Sequence, residues 1–295
     1  MPINKLKDHL HLHFIVFIWG FTAILVALIP LDAIPLAWLR VFIASVTIFI
    51  FTRIKRISLQ TNRSALFRLF FGGIIIALHW VTFFHAIKIS TISITLVTMS
   101  SSAIFVAFLE PLLSKKKFQY YELILASIAI LGFIIIFRVE SVYAKGIFYA
   151  LISSVLLAFF SIFNSKMIKR YHAVQIGFYE LFSAFIFLGI VLLISDSFTI
   201  DQVFHLKSNE WFFLIVLSTI CTAYPFVAAT RLLEKMGPFT MVLTNNLEPV
   251  YGVILAIIIF GEKEKMSSQF YIGAVLILCS VLLDSLIKAK RNKIN

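Results

Sequence analysis

A carboxylate, two amides and a proline stand close together inside a long apolar stretch late in the chain. Asn245, Asn246, Glu248 and Pro249 all lie in the apolar run from about 238 to 260. A charged side chain at the centre of a bilayer costs about 2.5–3.5 kcal/mol on insertion scales, so such residues mark functional sites by default. Glu248 could bind a cationic group of a ligand, or it could take up and release a proton. The alternative is a structural, hydrogen-bonded glutamate.

The same stretch predicts a binding face and a hinge. Asn245 precedes Glu248 by three residues, so both side chains share one face of a helix, and Asn246 lies next to them. Pro249 lacks an amide hydrogen, which leaves a carbonyl near Asn245 without its helical partner and allows a kink. We therefore expect Asn245, Asn246 and Glu248 to bind substrate and Pro249 to act as a hinge.

Three ionisable side chains lie inside other apolar runs. Arg40 sits about one turn below the outer end of its run, where it could contact substrate, reach the interface by snorkelling or pair with an acid. Glu180 is its equivalent in the second half, and a depth difference of roughly 15 Å argues against a direct pair. His79 could carry a proton or donate to a substrate, or it could bond a neighbouring helix. All three are candidate substrate-binding residues.

Aromatic and hydroxyl side chains in the apolar runs complete the candidate binding set. Trp19 and Trp80 could line an aromatic cavity for an apolar or cationic ligand. Tyr224, which precedes a proline, is a candidate for the same role. Ser101 is the middle of three serines in another apolar run and could line a cavity. Close packing of helices is the alternative explanation for each of them.

The patterns of known catalytic and metal sites are lacking in the sequence. His9, His11 and His13 alternate, but three histidines in a first turn do not make a metal site alone. The sequence contains no nucleotide-binding loop, nucleophile elbow or zinc-protease motif. We therefore expect no catalytic residue, no metal and no cofactor. The charged run 262–265 is interpreted as a solvated loop.

The composition requires that these residues be held by membrane-spanning elements. Of the 295 residues, 61% are hydrophobic and 14% are charged, whereas a soluble domain is about 25% charged. Runs near 20 apolar residues without polar alternation predict helices rather than barrel strands. Ten such segments are predicted, at about 12–30, 35–52, 66–87, 91–113, 120–138, 145–167, 174–195, 210–230, 238–260 and 268–287.

The basic residues indicate how the segments are oriented. The net charge of +12 lies in short clusters between apolar runs, so it reflects membrane topology and we expect no nucleic acid partner. With the N-terminus placed in the cytoplasm, nineteen Lys and Arg residues fall on the inner side and six on the outer side. This bias predicts that both termini are cytoplasmic, in a multi-pass protein of the cell (inner) membrane.

Two halves of the sequence are similar to each other. Residues 38–44 align with residues 178–184 at an offset of 140. By the register of the loops, Ser100–Ser102 takes the place of Leu247–Pro249, whereas the look-alike 109–111 sits nearer a helix end. Internal symmetry of this kind is typical of transporters.

The repeat and the number of segments together predict the architecture. Residues 1–143 and 144–295 would each form five helices, and because five is odd the halves would enter the membrane from opposite sides. The predicted fold is an all-α polytopic membrane protein with ten transmembrane helices arranged as two inverted-topology repeats of five. Such repeats support alternating access around a site near the midplane.

Short motifs spread over nearly the whole chain carry a family resemblance. They are the Trp19–Gly20 pair, the stretch 35–42 with its arginine, residues 146–151, the Leu247–Tyr251 stretch, residues 259–262 and residues 272–274. In their order and spacing they resemble the EamA-like family of the drug/metabolite transporter superfamily. The resemblance implies two five-helix EamA-like repeats, a central cavity and secondary transport, usually export, of a small metabolite.

The expected function is secondary transport rather than an enzymatic reaction. We expect an exporter that moves a small metabolite, such as an amino acid or a related compound, across the cytoplasmic membrane by alternating access. An importer on the same fold is the alternative, and a membrane-embedded enzyme is disfavoured because the outer acidic residues are scattered over different loops. The expected partners are a small-molecule substrate and the lipid bilayer. Coupling to protons is left open, as is the choice between a monomer and a homodimer.

Overall fold

The computed structural model describes residues 3–114, 120–195, 201–245 and 247–291. All regular structure within these ranges is helical. The helices are α1 (Ile3–Leu28), α2 (Ala33–Ile54), α3 (Arg63–Ile89), α4 (Ile92–Met99), α5 (Ser102–Ser114), α6 (Tyr120–Val139), α7 (Ala144–Met167), α8 (Ala173–Ser195), α9 (Asp201–Phe204), α10 (Ser208–Ser218), α11 (Tyr224–Asn245), α12 (Glu248–Phe260) and α13 (Ser268–Arg291). Short 3₁₀ turns follow α6 and α12, and a π-helix at Thr219–Ala223 joins α10 to α11.

Seven stretches among the described residues are long and apolar enough to cross a membrane. They are Lys7–Leu28, Ala33–Ile54, Arg63–Ile89, Ile92–Leu113, Ser141–Met167, Ala173–Ser195 and Ser208–Leu232. Two shorter apolar helices cover Ser127–Val139 and Ser268–Ser280. Large apolar side chains such as Phe67, Phe148 and Leu193 lie on the outside of the bundle, where lipid would surround them. The predicted class, an all-α multi-pass membrane protein, is confirmed.

Glycines let neighbouring helices of the bundle approach closely. Gly73 on α3 faces α8, and a Cβ atom at Gly73 would lie 2.6 Å from the Cβ atom of Ser183. A Cβ atom at Gly132 on α6 would lie 2.7 Å from the carbonyl oxygen of Gly273 on α13. Small residues are typical of helix interfaces in membranes, because association there depends on close packing. These contacts fix α3 against α8 and α6 against α13.

Two of the predicted membrane segments are interrupted, and the interruptions lie at the positions that align when the two halves of the sequence are compared. A turn at Ser100–Ser101 separates α4 from α5, and α11 ends at Asn245, shortly before α12 begins at Glu248. Pro249 therefore occupies the first turn of α12, where a missing amide hydrogen has no helical partner to lose. The predicted kink at Pro249 is instead an interruption directly before Glu248.

Two loops differ from their prediction. The sequence predicts a loop over about residues 231–237, but α11 continues through them. Arg231, Leu232 and Glu234 are good helix formers, and a cluster of charges does not by itself end a helix. The predicted break at 196–209 contains α9 and the start of α10, and its residues 196–200 lie outside the described ranges.

The charged run after α12 is only partly solvated. Glu262 and Lys265 are exposed and form an ion pair of 3.1 Å. Glu264 is buried, however, and its carboxylate accepts hydrogen bonds from the backbone amides of Ile92 at 3.0 Å and Ser93 at 2.9 Å. The carboxylate thus satisfies N–H groups at the start of α4 that have no partner within the helix. The interpretation of residues 262–265 as a solvated loop is wrong for Glu264.

Candidate substrate-binding cavity

A cavity of about 190 Å³ lies among α1, α2, α3, α4, α7, α11, α12 and the π-helix. Six of the residues predicted to bind substrate line it, namely Trp19, Arg40, His79, Trp80, Asn245 and Glu248. Between these groups the wall is aromatic, with contributions from Phe83, Phe160 and Phe226. A mostly apolar cavity with a few placed polar groups is the usual form of a small-molecule site.

Arg40 on α2 is held as a fixed positive charge in the cavity wall. Only 2% of the residue is exposed, so it does not snorkel to the interface. Its guanidinium carbon lies 4.4 Å from the centre of the Trp80 ring and 5.2 Å from that of Phe84. Its Nε donates to Thr222 Oγ1 at 2.5 Å, and among the described residues Nη1 has no hydrogen-bond partner. A buried N–H of this kind is suited to an anionic group of a ligand.

An irregular turn supplies the hydrogen-bond partner of Arg40. Thr222 lies in the π-helix, and its hydroxyl also donates to the carbonyl oxygen of Leu217, five residues earlier, at 2.6 Å. Single π-helical turns within α-helices are frequent at functional sites. Here the turn presents Thr222 to Arg40, and its neighbour Cys221 lines the cavity as well.

Glu248 brings a negative charge to the same cavity, with Asn245 beside it. Asn245 is the last residue of α11 and Glu248 the first of α12, so the interruption between the helices presents both to the cavity. Within the described ranges no ion pair of 4.0 Å or less joins Arg40 to Glu248, although the two charges interact across the cavity. The buried Oδ1 of Asn245 has no hydrogen-bond partner in the described part of the chain. The cavity wall therefore contains both an anion-binding and a cation-binding group.

A smaller cavity of about 50 Å³ adjoins this region. Its lining includes Asn245, Glu248, Pro249, Ser100 and Ser102. The two helix interruptions therefore meet at this small cavity. The second half contributes a carboxylate and an amide, whereas the first half contributes hydroxyl groups.

His79 on α3 is hydrogen-bonded to α7 and also lines the cavity. The Ser153 hydroxyl donates to the carbonyl oxygen of His79 at 2.8 Å. Nδ1 of His79 lies 2.8 Å from Ser153 Oγ and 3.1 Å from the carbonyl oxygen of Ser153. Because a carbonyl oxygen only accepts, the proton belongs on Nδ1, which leaves the lone pair of Nε2 as the acceptor of the ring. His79 therefore bonds a neighbouring helix and also lines the cavity, where its neutral ring offers an acceptor rather than the expected donor, and a role in proton transfer stays a prediction.

Two other predicted residues are not part of the cavity wall. Glu180 is fully buried behind the wall, where Asn164 Nδ2 donates to its carboxylate at 3.1 Å. Arg40 and Glu180 thus have separate partners, as their predicted depths require. Tyr224 is 43% exposed, and its hydroxyl lies 2.6 Å from Nε2 of His11. The described residues contain no group of three or more potential metal ligands.

The remaining two predicted residues belong to the helix interruptions. Ser101 is buried, and its hydroxyl donates to the carbonyl oxygen of Thr98 at 2.7 Å rather than lining either cavity. Its neighbours in the turn line the smaller cavity instead. Asn246 lies outside the described residues.

Five polar cavity residues were not predicted, namely Thr22, Ser161, Asn164, Thr222 and Thr230, and two of them bond ionisable groups. Asn164 stands beside the basic cluster that begins at Lys166, so it resembles an ordinary polar residue at a helix end. It does, however, follow Phe160 by four residues and therefore shares the face on which Phe160 lines the cavity. Nothing in the sequence indicates that Thr222 lines the cavity, because the π-helical turn that presents it to Arg40 has no sequence pattern of its own.

Comparison with known proteins places the chain in a family of transporters. A family model described as the EamA-like transporter family matches residues 10–138 and again residues 144–286. A solved crystal structure that is 13% identical superimposes with a TM-score of 0.67, covering 95% of this chain and 98% of the other. The chain therefore shares the fold of that structure.

Curated relatives match over a shorter stretch of 102 residues. They are the chloroplastic triose phosphate/phosphate translocators of Flaveria trinervia (30% identical), Spinacia oleracea (32%) and Pisum sativum (31%). In each case the match covers 35% of this chain and 20% of the relative. Because the family model covers most of the chain in two consecutive matches, the protein belongs to the EamA-like transporter family.

Proposed function

We propose that the protein is a secondary transporter that exports a small zwitterionic metabolite, such as an amino acid or a related compound, across the cytoplasmic membrane. The observation that carries the proposal is the pairing of buried Arg40, with its unpartnered Nη1, and Glu248 in one cavity. The carboxylate of a zwitterion matches the guanidinium, and its ammonium matches the glutamate. Trp19 and Trp80 provide aromatic surface for the rest of the substrate.

The proposed architecture is ten membrane crossings in two inverted repeats, with halves at 1–143 and 144–295. It is supported by the separate family matches to the two halves and by the interruptions at equivalent positions. The contacts between helices are also consistent with two equivalent halves. The equivalent helices α2 and α8 pack on each other, as do α6 and α13. The contact of α3 with α7 has its equivalent in the contact of α11 with α1. The excess of basic residues in alternate loops supports cytoplasmic termini.

In the proposed cycle the two halves rock around the bound substrate. The interruptions at Ser100–Ser101 and before Pro249 act as hinges, because chain breaks in facing helices let each half bend near the cavity. Substrate binds between Arg40 and Glu248 from the cytoplasm and leaves on the outer side. Exchange of the substrate ammonium for a proton at Glu248 would couple export to the proton gradient.

A phosphorylated three-carbon compound is the second candidate substrate. It is favoured by the similarity to triose phosphate/phosphate translocators. Among the described cavity residues, Arg40 is suited to a phosphate, but Glu248 lies in the same wall and would repel a dianion. We therefore place it second.

Counterflow in proteoliposomes tests the proposal. Purified protein is reconstituted with unlabelled compound inside, and uptake of the labelled compound is followed for neutral amino acids and for dihydroxyacetone phosphate. We expect exchange of at least one neutral amino acid that protein-free vesicles do not show. Exchange of dihydroxyacetone phosphate alone would favour the second candidate, and net efflux from loaded cells would separate export from import.

A further inference from the structure

An amide in the cavity wall is held from behind by a buried acid. Asn164 on α7 lines the cavity, and its Nδ2 donates to Oε2 of Glu180 on α8 at 3.1 Å. Asn164 is 6% exposed and Glu180 is 0% exposed. Glu180 itself does not line the cavity. It therefore lies behind the wall, and its hydrogen bond to Asn164 connects it to the cavity.

The carboxylate of Glu180 has little room to turn. Gly72 of α3 lies against it so closely that a Cβ atom at Gly72 would overlap Oε1 of Glu180. Oε1 has no hydrogen-bond partner among the residues that the structure describes, and no ion pair with Glu180 occurs among them. A buried acid without a cation is costly in a membrane protein, which makes Glu180 a candidate for a role in the site.

The hydrogen bond to Glu180 fixes which way the Asn164 amide faces. The Asn164 amide turns its N–H₂ group toward Glu180, and an ionised carboxylate can accept this hydrogen bond but could not donate one to the amide oxygen. Its oxygen then points away from Glu180, and this buried Oδ1 has no hydrogen-bond partner in the described ranges. A buried acceptor of this kind is destabilising unless a ligand or water supplies a donor.

We propose that Glu180 is a positioning residue that sets substrate specificity by holding the oxygen of Asn164 toward the cavity. The inference rests on the proposed transport of a zwitterion. Three residues of the cavity wall carry acceptor groups, namely Asn164 and Asn245, whose buried amide oxygens have no hydrogen-bond partner among the described residues, and Glu248 with its carboxylate. A primary ammonium group has three N–H donors, which matches this set.

The test compares L-leucine with 4-methylpentanoate, the same molecule without its amino group, by calorimetric titration of the detergent-purified protein. Wild type should prefer L-leucine. Glu180→Gln should reduce this preference about tenfold, because a glutamine can donate to the Asn164 oxygen and turn the Asn164 N–H₂ group into the cavity. Asn164→Leu should reduce it similarly, and Glu180→Gln should have no further effect in the Asn164→Leu background.

Glu140→Gln is the matched control, because Glu140 is another buried acid but bonds Ser267 and does not line the cavity. It should leave the preference unchanged. An unchanged preference in Glu180→Gln, or an additional loss in the double variant, would overturn the proposal. A purely structural role would lower the melting temperature without changing the preference.

A measurement without ligand separates this inference from the proposed function. Solid-state NMR of protein with ¹⁵N-labelled asparagine side chains and ¹³Cδ-labelled glutamate should show a short-range contact that disappears in Asn164→Leu. Absence of that contact in wild type would overturn the role of Glu180. If the contact is present but wild type binds no amino acid, the zwitterion proposal fails and the orientation of Asn164 stands.

Discussion

At the scale of single residues, the cavity is distinguished from ordinary helix packing by two opposite charges that form no ion pair with each other. Arg40 is anchored through Nε and two aromatic rings, yet its Nη1 remains unpartnered among the described residues. Glu248 lies in the same wall without an ion pair to Arg40. Two opposite charges kept apart in a buried cavity are a costly arrangement that a dipolar ligand would relieve.

Neutralising the acid should remove binding of the substrate ammonium. Glu248→Gln keeps the shape of the side chain but loses its charge, and hydrogen bonds to charged groups contribute about 1.5–3 kcal/mol. We expect the affinity for a transported amino acid to fall at least about tenfold and counterflow to be lost. Unchanged counterflow in proteoliposomes of folded Glu248→Gln would contradict the role of Glu248.

Replacing the arginine by lysine should be harmful despite the conserved charge. Arg40→Lys loses the planar guanidinium that stacks on Trp80. It also loses the several N–H donors that let one side chain bond both Thr222 and the carboxylate of a substrate. We expect at least about tenfold weaker amino acid binding by calorimetry. The matched control is Arg53→Lys, at the far end of the same helix and outside the cavity, which should bind like wild type. Equal losses in both variants would indicate a general effect on α2.

At the scale of elements, the structure shows which features of the helices the sequence predicts. Apolar run length predicts nearly all helix positions, because these depend on hydrophobicity. The repeat aligns Ser100–Ser102 with Leu247–Pro249, where both interruptions lie, but the sequence predicts only a kink at Pro249. The continuous α11, the π-helix and the buried Glu264 were not predicted. Each depends on a contact between distant parts of the chain or on a local choice between helical forms, which composition does not report.

The capping role of Glu264 gives a prediction at this scale. Glu264→Ala removes a carboxylate that accepts from Ile92 N, Ser93 N and Ser93 Oγ, and leaves buried donors at the start of α4 unpaired. We expect a loss of about 1–3 kcal/mol, measured as a lower melting temperature in detergent.

Glu262→Ala provides the control for this experiment. Glu262 is two residues away and 86% exposed in its ion pair with Lys265, so its removal should cost less than about 0.5 kcal/mol. Similar melting temperatures for the two variants would contradict the burial of Glu264 as a helix cap.

At the scale of the whole molecule, membrane class and family follow from composition and motif order, while the site depends on how helices from both halves converge. Arg40, His79 and Glu248 were predicted because polar groups are rare in membrane helices. Asn164 was missed because its polarity is common near a helix end, and Tyr224 was included although it bonds His11 outside the cavity. Depth in the membrane can be read from a sequence, but the direction of a side chain depends on packing.

The proposed orientation of the whole molecule can be tested with single cysteines. In a background with Cys221 and Cys279 replaced by serine, Val142→Cys, in the exposed turn before α7, should react with a membrane-impermeant maleimide added to intact cells. Lys55→Cys, after α2, should react only once the membrane is opened. The reverse pattern would contradict cytoplasmic termini.

The most direct test of the central claim is the ratio of counterflow rates for one amino acid and its two singly charged analogues. L-leucine, 4-methylpentanoate and 3-methylbutan-1-amine share a hydrocarbon body but carry both charges, only the anion or only the cation. With Arg40 and Glu248 acting together, L-leucine should exchange at least about tenfold faster than either analogue. Equal rates for all three compounds, or exchange of an analogue without exchange of L-leucine, would contradict recognition of a zwitterion in this cavity.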